Sequence, residues 1–216
     1  MILYSKSEPL TADDTFLFEC KLCGDCCRKV KNTVMIESLD LFLLACHLKM
    51  ETAEVANLHT EVANIAWGAP ILVLKSKPIG DVCIFLKSGK CSIREFRPRA
   101  CRLYPLSVGP DNDMKNLIAL KSSERDFHYI GQEHRVSDWI ADNMNGESQD
   151  YVITECRLLR EMGRILRCIP RNLENDVKRL MLLNRYLMFD TDSDFMSQYI
   201  RNMERLKREL ENLAKR

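Results

Sequence analysis

Apolar residues recur along the chain with two different periods, which divide it into three parts. In the first part, residues 1–19 are predicted to be an extended lead-in. Apolar residues then recur at three- and four-residue steps over residues 36–49, which predicts a helix. Thr52 is a candidate N-cap for a second helix, which we expect to end near Gly68.

The central part of the chain predicts short strands. Residues 71–74 and 82–86 are apolar, β-branched runs bounded by Gly and Pro, which is typical of strands. Residues 88–89 (Ser-Gly) predict a tight turn. Residues 107–113 are rich in turn formers and predict a loop, whereas residues 117–120 predict another short strand.

Helical periodicity returns in the last part of the chain. We expect a short helix around Trp139, a long helix from about Tyr151 that ends before Pro170, and another helix capped by Asn172. A final helix has an apolar seam over residues 196–213 with steps of three and four. The seam is too short for a confident coiled coil, so we expect it to pack on the preceding helix and treat dimerisation as the weaker alternative.

Together these elements predict an α+β protein that is mainly helical. Residues 1–150 are predicted to form a cysteine-cluster metal-binding domain, with a cysteine-rich core and short strands. Residues 151–216 are predicted to form a C-terminal helical segment that packs on it. A hydrophobic fraction of 46% in 216 residues is enough for one sizeable core.

Charge and hydropathy exclude several classes of partner. The 32 Lys and Arg residues nearly balance the 31 Asp and Glu residues, so bulk charge predicts neither nucleic-acid nor membrane binding. The apolar run over residues 41–46 is far too short to span a bilayer, and the first residues show no signal-peptide pattern. We therefore expect a cytoplasmic protein, monomeric or homodimeric, with a possible protein partner at its C-terminal helices.

Cysteine is the outlier in the composition, with ten residues, eight of which fall between positions 20 and 101. The first four form the pattern C-x2-C-x2-C-C. Thiolates are soft ligands that select zinc, Cu(I) or iron–sulfur clusters, and thiols stay reduced in the cytosol. The pattern therefore predicts a thiolate metal centre. Its predicted ligands are Cys20, Cys23, Cys26, Cys27, Cys83, Cys91, Cys101 and Cys156.

Six of these cysteines are expected around one compact centre: Cys20, Cys23, Cys26, Cys83, Cys91 and Cys101. The reason is that neither the first cysteine block nor the later cysteines alone contain four well-placed ligands. Adjacent side chains point apart in an extended chain, so Cys26 and Cys27 are not expected to bind one ion side by side. Cys156 would complete two four-ligand sites. The alternative is that the surplus thiols are not ligated.

Basic and imidazole side chains near the cysteines have less certain roles. Arg97 and Arg102 are expected beside the thiolate centre, where each offsets its negative charge or orients the loop by hydrogen bonding. The alternative is that they bind a carboxylate or phosphate of a cosubstrate or cofactor. The four histidines lack paired ligand spacing, so each is expected to be a surface or core residue. His128 and His134 lie in one short segment, which leaves a weaker metal interpretation open.

The chain resembles the CxxCxxCC cysteine-cluster family of zinc- or iron-chelating proteins (YkgJ-like). The resemblance covers about residues 16–106 in three blocks: Phe18-x-Cys20-x2-Cys23-Gly24-x-Cys26-Cys27-Arg28, Cys83-x-Phe85-Leu86, and Cys91-x-Ile93-x3-Phe96-Arg97-Pro98-x2-Cys101-Arg102-x-Tyr104-Pro105. Cys156 matches a further family cysteine in part, because Arg157 and Leu158 follow it where the family has Pro-Gly.

The resemblance implies a metal or iron–sulfur centre. We favour an iron–sulfur cluster, of the 4Fe-4S type, in electron transfer or a cluster-dependent reaction, because the predicted ligands are all sulfur and exceed four. A structural zinc protein is the first alternative. The family also includes a flagellin lysine N-methylase. The second alternative that the resemblance implies is therefore an S-adenosylmethionine-dependent protein lysine methyltransferase. No G-x-G loop after a predicted strand supports an ordinary nucleotide-binding fold. Whether the protein is an enzyme stays open.

Overall fold

The computed structural model describes residues 7–64, 69–122 and 128–215. Its α-helices are α1 (Ser38–Leu48), α2 (Thr52–His59), α3 (Arg99–Arg102), α4 (Val136–Asn143), α5 (Gly146–Leu166), α6 (Glu174–Leu182) and α7 (Phe195–Leu213). Its strands are β1 (Ser7–Leu10), β2 (Thr15–Leu17), β3 (Met35–Ile36), β4 (Thr60–Asn64), β5 (Pro70–Leu74), β6 (Ser76–Lys77), β7 (Val82–Cys83), β8 (Leu86–Lys87), β9 (Lys90–Cys91), β10 (Leu106–Pro110), β11 (Leu117–Ser122) and β12 (Glu133–Arg135). Shorter turns are the 3₁₀ segments Asp25–Cys27, Arg94–Phe96 and Arg171–Leu173 and the π-helical segment Leu183–Leu187.

The strands form small antiparallel sheets. One three-stranded sheet has the order β1-β11-β10 and another has the order β3-β5-β4, while β12 pairs with β2, β6 with β7, and β8 with β9. The predicted α+β class is therefore confirmed, with more helix than strand in the described residues. Within those same residues, none of the helices combines the length and the hydrophobicity needed to cross a membrane.

Two hydrophobic cores hold these elements together. The first contains Phe16 of β2, Val108 of β10 and the buried faces of α5 and α7. The second surrounds α1, α2 and β5, and it receives Tyr186 from the π-helical segment. The C-terminal helices therefore pack on the earlier part of the chain. The predicted boundary between residues 150 and 151 falls inside α5, and the division into two parts stays a prediction.

The apolar seam of α7 is buried inside the chain's own core. Asp194 caps the helix, with its carboxylate accepting a hydrogen bond from the Ser197 N–H at 2.7 Å. Tyr199, Leu206 and Leu210 along the seam are fully buried. The prediction that this seam packs within the protein is confirmed.

Two predicted elements are wrong because strand pairing overrides local sequence signals. The second helix ends at His59, and the next residues form β4, which pairs along its whole length with β5. Its predicted end at Gly68 lies outside the described residues. The predicted loop over 107–113 contains most of β10, in which buried Leu106 and Val108 alternate with exposed Ser107. That alternation is typical of a strand, but the Gly and Pro that follow it favoured the prediction of a loop.

The other local predictions are accurate except for two N-caps: Thr52 is the first residue of α2, whose N-cap is Glu51, and Asn172 lies in the 3₁₀ segment before α6, whose N-cap is Leu173. Strand β5 and strand β11 match the runs at 71–74 and 117–120, and α1 and α4 lie where helices were expected. The run at 82–86 is divided between β7 and β8. The long helix begins at Gly146, five residues earlier than predicted, with Asn145 as its N-cap.

A largely buried ion pair joins the start of α1 to α3. The Arg99 guanidinium donates two hydrogen bonds of 2.6 Å to the Glu37 carboxylate. The Arg99 backbone N–H donates to Asp40 at 2.8 Å. Burial alone would lower the pKa of Arg99, but the charges of Glu37 and Asp40 raise it above its ordinary value. This pair fixes the position of the short helix that contains Cys101.

We predict that Glu37→Gln lowers the free energy of unfolding by about 3 kcal/mol, because it leaves the buried Arg99 charge without its partner. The matched control is Glu161→Gln, which breaks the exposed 3.2 Å pair with Lys207. That change should cost less than about 1 kcal/mol. Urea denaturation followed by circular dichroism measures both values. Equal losses in the two variants would contradict the structural importance of the Arg99 pair.

Candidate metal centre

Three segments of the chain bring five cysteines together. Cys26 and Cys27 lie on the 3₁₀ turn, Cys83 and Cys91 on two short strands, and Cys101 on α3. We call these five side chains the inner thiol group. They are close enough to interact. A hydrogen bond from Cys26 lowers the pKa of Cys27, while burial and negative charge on Cys83, Cys101 and Cys91 oppose that decrease. Burial, together with charge on Cys83 and Cys26, raises the pKa of Cys101.

A close backbone approach holds the first cysteine block against the central strands. Gly24 has φ +73°, and a β-carbon at this position would lie 3.4 Å from Leu86 Cδ1 and 3.7 Å from the Gly89 carbonyl oxygen. Leu86 and Gly89 belong to the β8–β9 hairpin, in which Leu86 is paired with Cys91. Gly24 therefore permits both the turn after Cys23 and the contact with the hairpin.

The predicted turn at residues 88–89 forms this hairpin. Ser88 and Gly89 have φ values of +48° and +77°, which is the left-handed conformation that a two-residue hairpin turn requires. The turn folds the chain back after Cys83 and brings Cys91 toward it. Charge on Cys91 accordingly raises the pKa of Cys83, although burial is the largest cause of that increase.

Cys26 and Cys27 do not point apart as predicted. Their sulfur atoms are 3.9 Å from each other. The prediction assumed an extended chain, in which adjacent side chains point to opposite sides. Residues Asp25–Cys27 instead form a 3₁₀ turn, in which adjacent side chains are only about 120° apart around the axis, so the two sulfurs can approach. The hydrogen bond from Cys26 is the largest cause of a lowered pKa at Cys27, and burial opposes it.

Arg97 lies beside the thiol of α3. Its guanidinium donates to the Arg94 carbonyl at 2.9 Å and to the Cys101 carbonyl at 3.3 Å. Burial raises the pKa of the Cys101 thiol above its ordinary range, and the positive charge of Arg97 opposes that increase. Arg102 is half-buried, and within the described part of the chain its buried Nε–H has no hydrogen-bond partner. A cofactor role for both arginines stays a prediction.

Cys20 and Cys23 lie at the edge of this arrangement. The Cys20 sulfur accepts long hydrogen bonds of 3.9 and 4.0 Å from the Arg94 guanidinium. Cys23 is exposed and lies beside Asp25 and His128. The structure thus brings four of the six expected ligands together with Cys27, while Cys20 lies beside Arg94 and Cys23 beside Asp25 and His128.

Cys156 is not part of the inner thiol group. It lies on α5 in the wall of a mostly apolar cavity of about 300 Å³, between the early strands and the C-terminal helices. Burial and the charges of Glu155 and Glu37 raise the pKa of its thiol to about 11. The missing Pro-Gly after Cys156 is the sequence signal that agrees with this separate location.

The sequence does not point to Asp25 as a ligand, and it suggests His128 only together with His134, as the weaker metal interpretation. His128 is separated from Cys23 by more than one hundred residues and has no second histidine at ligand spacing, so no sequence signal links the two. Asp25 stands inside the first cysteine block and could have been noticed there, because carboxylates also bind zinc.

The inner thiol group is chemically suited to the metal that the cysteine pattern predicts. Its donors are all sulfur, they come from segments that are fixed by the hairpin and by the Arg99 ion pair, and a cation lies next to them. Such a set suits zinc or iron and not magnesium or calcium.

Comparisons with known proteins agree with this chemistry. A curated but uncharacterised protein of Methanocaldococcus jannaschii is 34% identical over 93 residues, which make up 42% of this chain and 46% of that protein. The chain thus matches less than half the length of that relative. No solved structure matches the chain significantly. The model of the CxxCxxCC family, described as "Putative zinc- or iron-chelating domain", matches residues 19–129. Because this match covers just over half of the 216 residues and includes the whole inner thiol group, the chain belongs to the CxxCxxCC family.

Proposed function

We propose that the inner thiol group holds an iron–sulfur cluster, and that the protein acts in electron transfer or in a reaction that depends on the cluster. The group provides five thiols from three segments, which is enough for the four cysteine ligands of a cluster. The family description supports zinc or iron as the metal. The iron–sulfur assignment goes beyond that description and rests on the geometry of the sulfurs.

The spread of the thiols is the observation that favours a cluster. Four thiolates around one zinc ion at 2.3 Å would have their sulfurs about 3.8 Å apart. Cys26 and Cys27 meet this distance, but within the described residues no three of the inner thiols lie within 4.8 Å of one another. In an iron–sulfur cluster the thiolates bind different iron atoms, so the sulfurs surround a larger object.

The charge around the group is also suitable for a cluster. A cluster bound by four thiolates is anionic, and a nearby cation stabilises that charge. Arg97 provides such a cation next to Cys101. Charge and hydrogen bonds near the sulfurs are among the properties that set the reduction potential of a bound cluster.

A structural zinc site is the second candidate, and the Cys26–Cys27 pair favours it. Their separation of 3.9 Å matches one edge of a zinc–thiolate tetrahedron. In that case the metal would link the first cysteine block to the central strands and would contribute mainly to folding. The methyltransferase alternative rests on the family resemblance alone. A protein partner at the C-terminal helices is likewise a proposal, with exposed Ile200 and Met188 as apolar contacts.

The first test is metal and acid-labile sulfide analysis of anaerobically purified protein. We expect a brown protein with visible charge-transfer absorption and about four iron and four sulfide per chain, as a 4Fe-4S cluster requires. Reconstitution with iron and sulfide should restore the colour after loss in air. A colourless protein that contains zinc and no sulfide would support the structural zinc site instead.

Ligand substitutions test the membership of the inner thiol group. We predict that Cys26→Ser and Cys101→Ser lose most of the iron and sulfide, because each removes a thiolate of the group. The matched control is Cys156→Ser, whose thiol lies apart in the cavity wall. It should keep the full metal complement. Loss of iron in Cys156→Ser with retention in Cys26→Ser would show that the ligand set is assigned wrongly.

A further prediction concerns the charge beside Cys101. We expect Arg97→Gln to lower the midpoint potential of the cluster, because removing a nearby cation favours the oxidised, less negative state. Arg94→Gln is the matched control, since Arg94 faces the peripheral Cys20. Its effect should be smaller. Spectroelectrochemical titration measures both potentials, and an unchanged value in Arg97→Gln with full iron content would refute this role of Arg97.

A further inference from the structure

Cys23, Asp25 and His128 form a second set of potential metal ligands, which we call the outer donor group. One ligand atom from each side chain lies within 4.8 Å of the other two. The Asp25 Oδ2 and His128 Nε2 atoms are 3.8 Å apart. Over residues 7–64, 69–122 and 128–215, this is the one set of three or more Cys, His, Asp or Glu donors found so close together.

Tertiary packing brings His128 to the first cysteine block. The segment after His128 runs along the lead-in strand, where the Phe18 N–H donates to the Gln132 carbonyl at 2.8 Å. Gly131 has φ +95°, and a β-carbon there would lie 2.5 Å from Glu19 Cβ. A glycine is therefore required for this close approach, which positions the imidazole across from Cys23.

The imidazole is oriented by a second hydrogen bond. His128 Nδ1 is hydrogen-bonded to the hydroxyl of Tyr104, which lies three residues after Cys101. The ring is largely buried, with 12% of the side chain exposed, and its Nε2 faces Asp25. Metal-bound histidines have this arrangement, in which a partner at one nitrogen fixes the ring and leaves the other nitrogen for the metal.

The distances and charges suit a small divalent cation. Ligand atoms around a tetrahedral zinc ion at 2.0–2.3 Å lie about 3.3–3.8 Å apart. An oxygen and a nitrogen ligand would lie about 3.4 Å apart, slightly closer than the 3.8 Å between Asp25 Oδ2 and His128 Nε2. Cys23 and Asp25 are exposed, so their side chains can rotate inward to close this difference. One thiolate, one carboxylate and one neutral imidazole balance the two positive charges. A set of sulfur, nitrogen and oxygen ligands selects zinc over magnesium or calcium.

We propose that the outer donor group binds one divalent cation of the zinc type, separate from the metal of the inner thiol group. Three protein ligands leave the fourth position for water or another small oxygen ligand, which is the arrangement of catalytic zinc sites. The proposal goes beyond the iron–sulfur assignment and does not depend on it, because it uses no side chain of the inner thiol group.

Cobalt titration of the full-length protein tests this second site. Protein purified anaerobically is titrated with Co²⁺, a coloured substitute for Zn²⁺, and the bound metal is counted after gel filtration. We expect one equivalent of Co²⁺ in the wild type, with a sulfur-to-metal charge-transfer band. His128→Ala and Asp25→Asn should lose this equivalent and keep the iron and sulfide. The control His47→Ala, whose ring stacks on Phe96 at 3.7 Å, should keep it.

Tyr104→Phe separates a bound metal from incidental binding at exposed thiols. It should raise the Kd for Co²⁺ about 10- to 100-fold, the usual effect of removing an orienting partner, and leave the charge-transfer band in place at saturation. If circular dichroism shows that His128→Ala is misfolded, the test relies on the Asp25→Asn variant, because Asp25 is exposed and its substitution should not disturb folding.

Two outcomes would overturn the proposal. The first is a Co²⁺ equivalent that survives both Asp25→Asn and His128→Ala. The second is a folded His128→Ala or Asp25→Asn variant that loses its iron and sulfide as well as Co²⁺. That result would mean that the substituted side chain serves the metal of the inner thiol group and not a separate site. A wild type that binds Co²⁺ at the outer donor group but contains no iron or sulfide would instead overturn the iron–sulfur assignment and leave this site standing.

Discussion

The buried ion pair between Arg99 and Glu37 is the constraint on which the arrangement of the thiols depends. It joins the first turn of α1 to the short helix that contains Cys101, and a helix of four residues has little stability of its own. Because a buried guanidinium without its carboxylate is costly, the two elements are held in one geometry. Cys101 is thereby fixed relative to α1, around which the second hydrophobic core is built.

The Gly24 turn then distributes the first cysteine block between two environments. Cys20 and Cys23, before the turn, face the exposed edge. After the turn, Cys27 is half-buried, and Cys26 is exposed but has its sulfur 3.9 Å from that of Cys27. The same eight residues can therefore contribute to two centres of different chemistry, one with sulfur ligands alone and one with mixed ligands.

The sequence predicts those features that depend on local pattern. Helix α1, strand β5 and the hairpin turn at Ser88 and Gly89 follow from periodicity and turn chemistry, and they appear where expected. The three sequence blocks that match the family contain all cysteines of the inner thiol group, so the sequence alone predicts them as ligands. Strand β4 was missed because its pairing with β5 overrides the helical pattern of its residues.

The rest of the site depends on contacts between distant segments. The position of His128 results from the close approach of Gly131 to Glu19, which no residue spacing encodes. The 3.9 Å distance between the Cys26 and Cys27 sulfurs results from a 3₁₀ turn where an extended chain was assumed. Cys156 was included because it would complete a second four-ligand site and matches a family cysteine in part, and it lies instead on α5 in a cavity wall.

X-ray absorption spectroscopy at the iron and zinc edges of anaerobically purified protein tests the central claim most directly, because it reports the neighbours of the metal itself. We predict an iron site with sulfur neighbours and a second shell of iron at short distance, since a cluster places several iron atoms together. A zinc site with four sulfur neighbours at about 2.3 Å and no metal in its second shell would contradict the claim and establish a structural zinc centre.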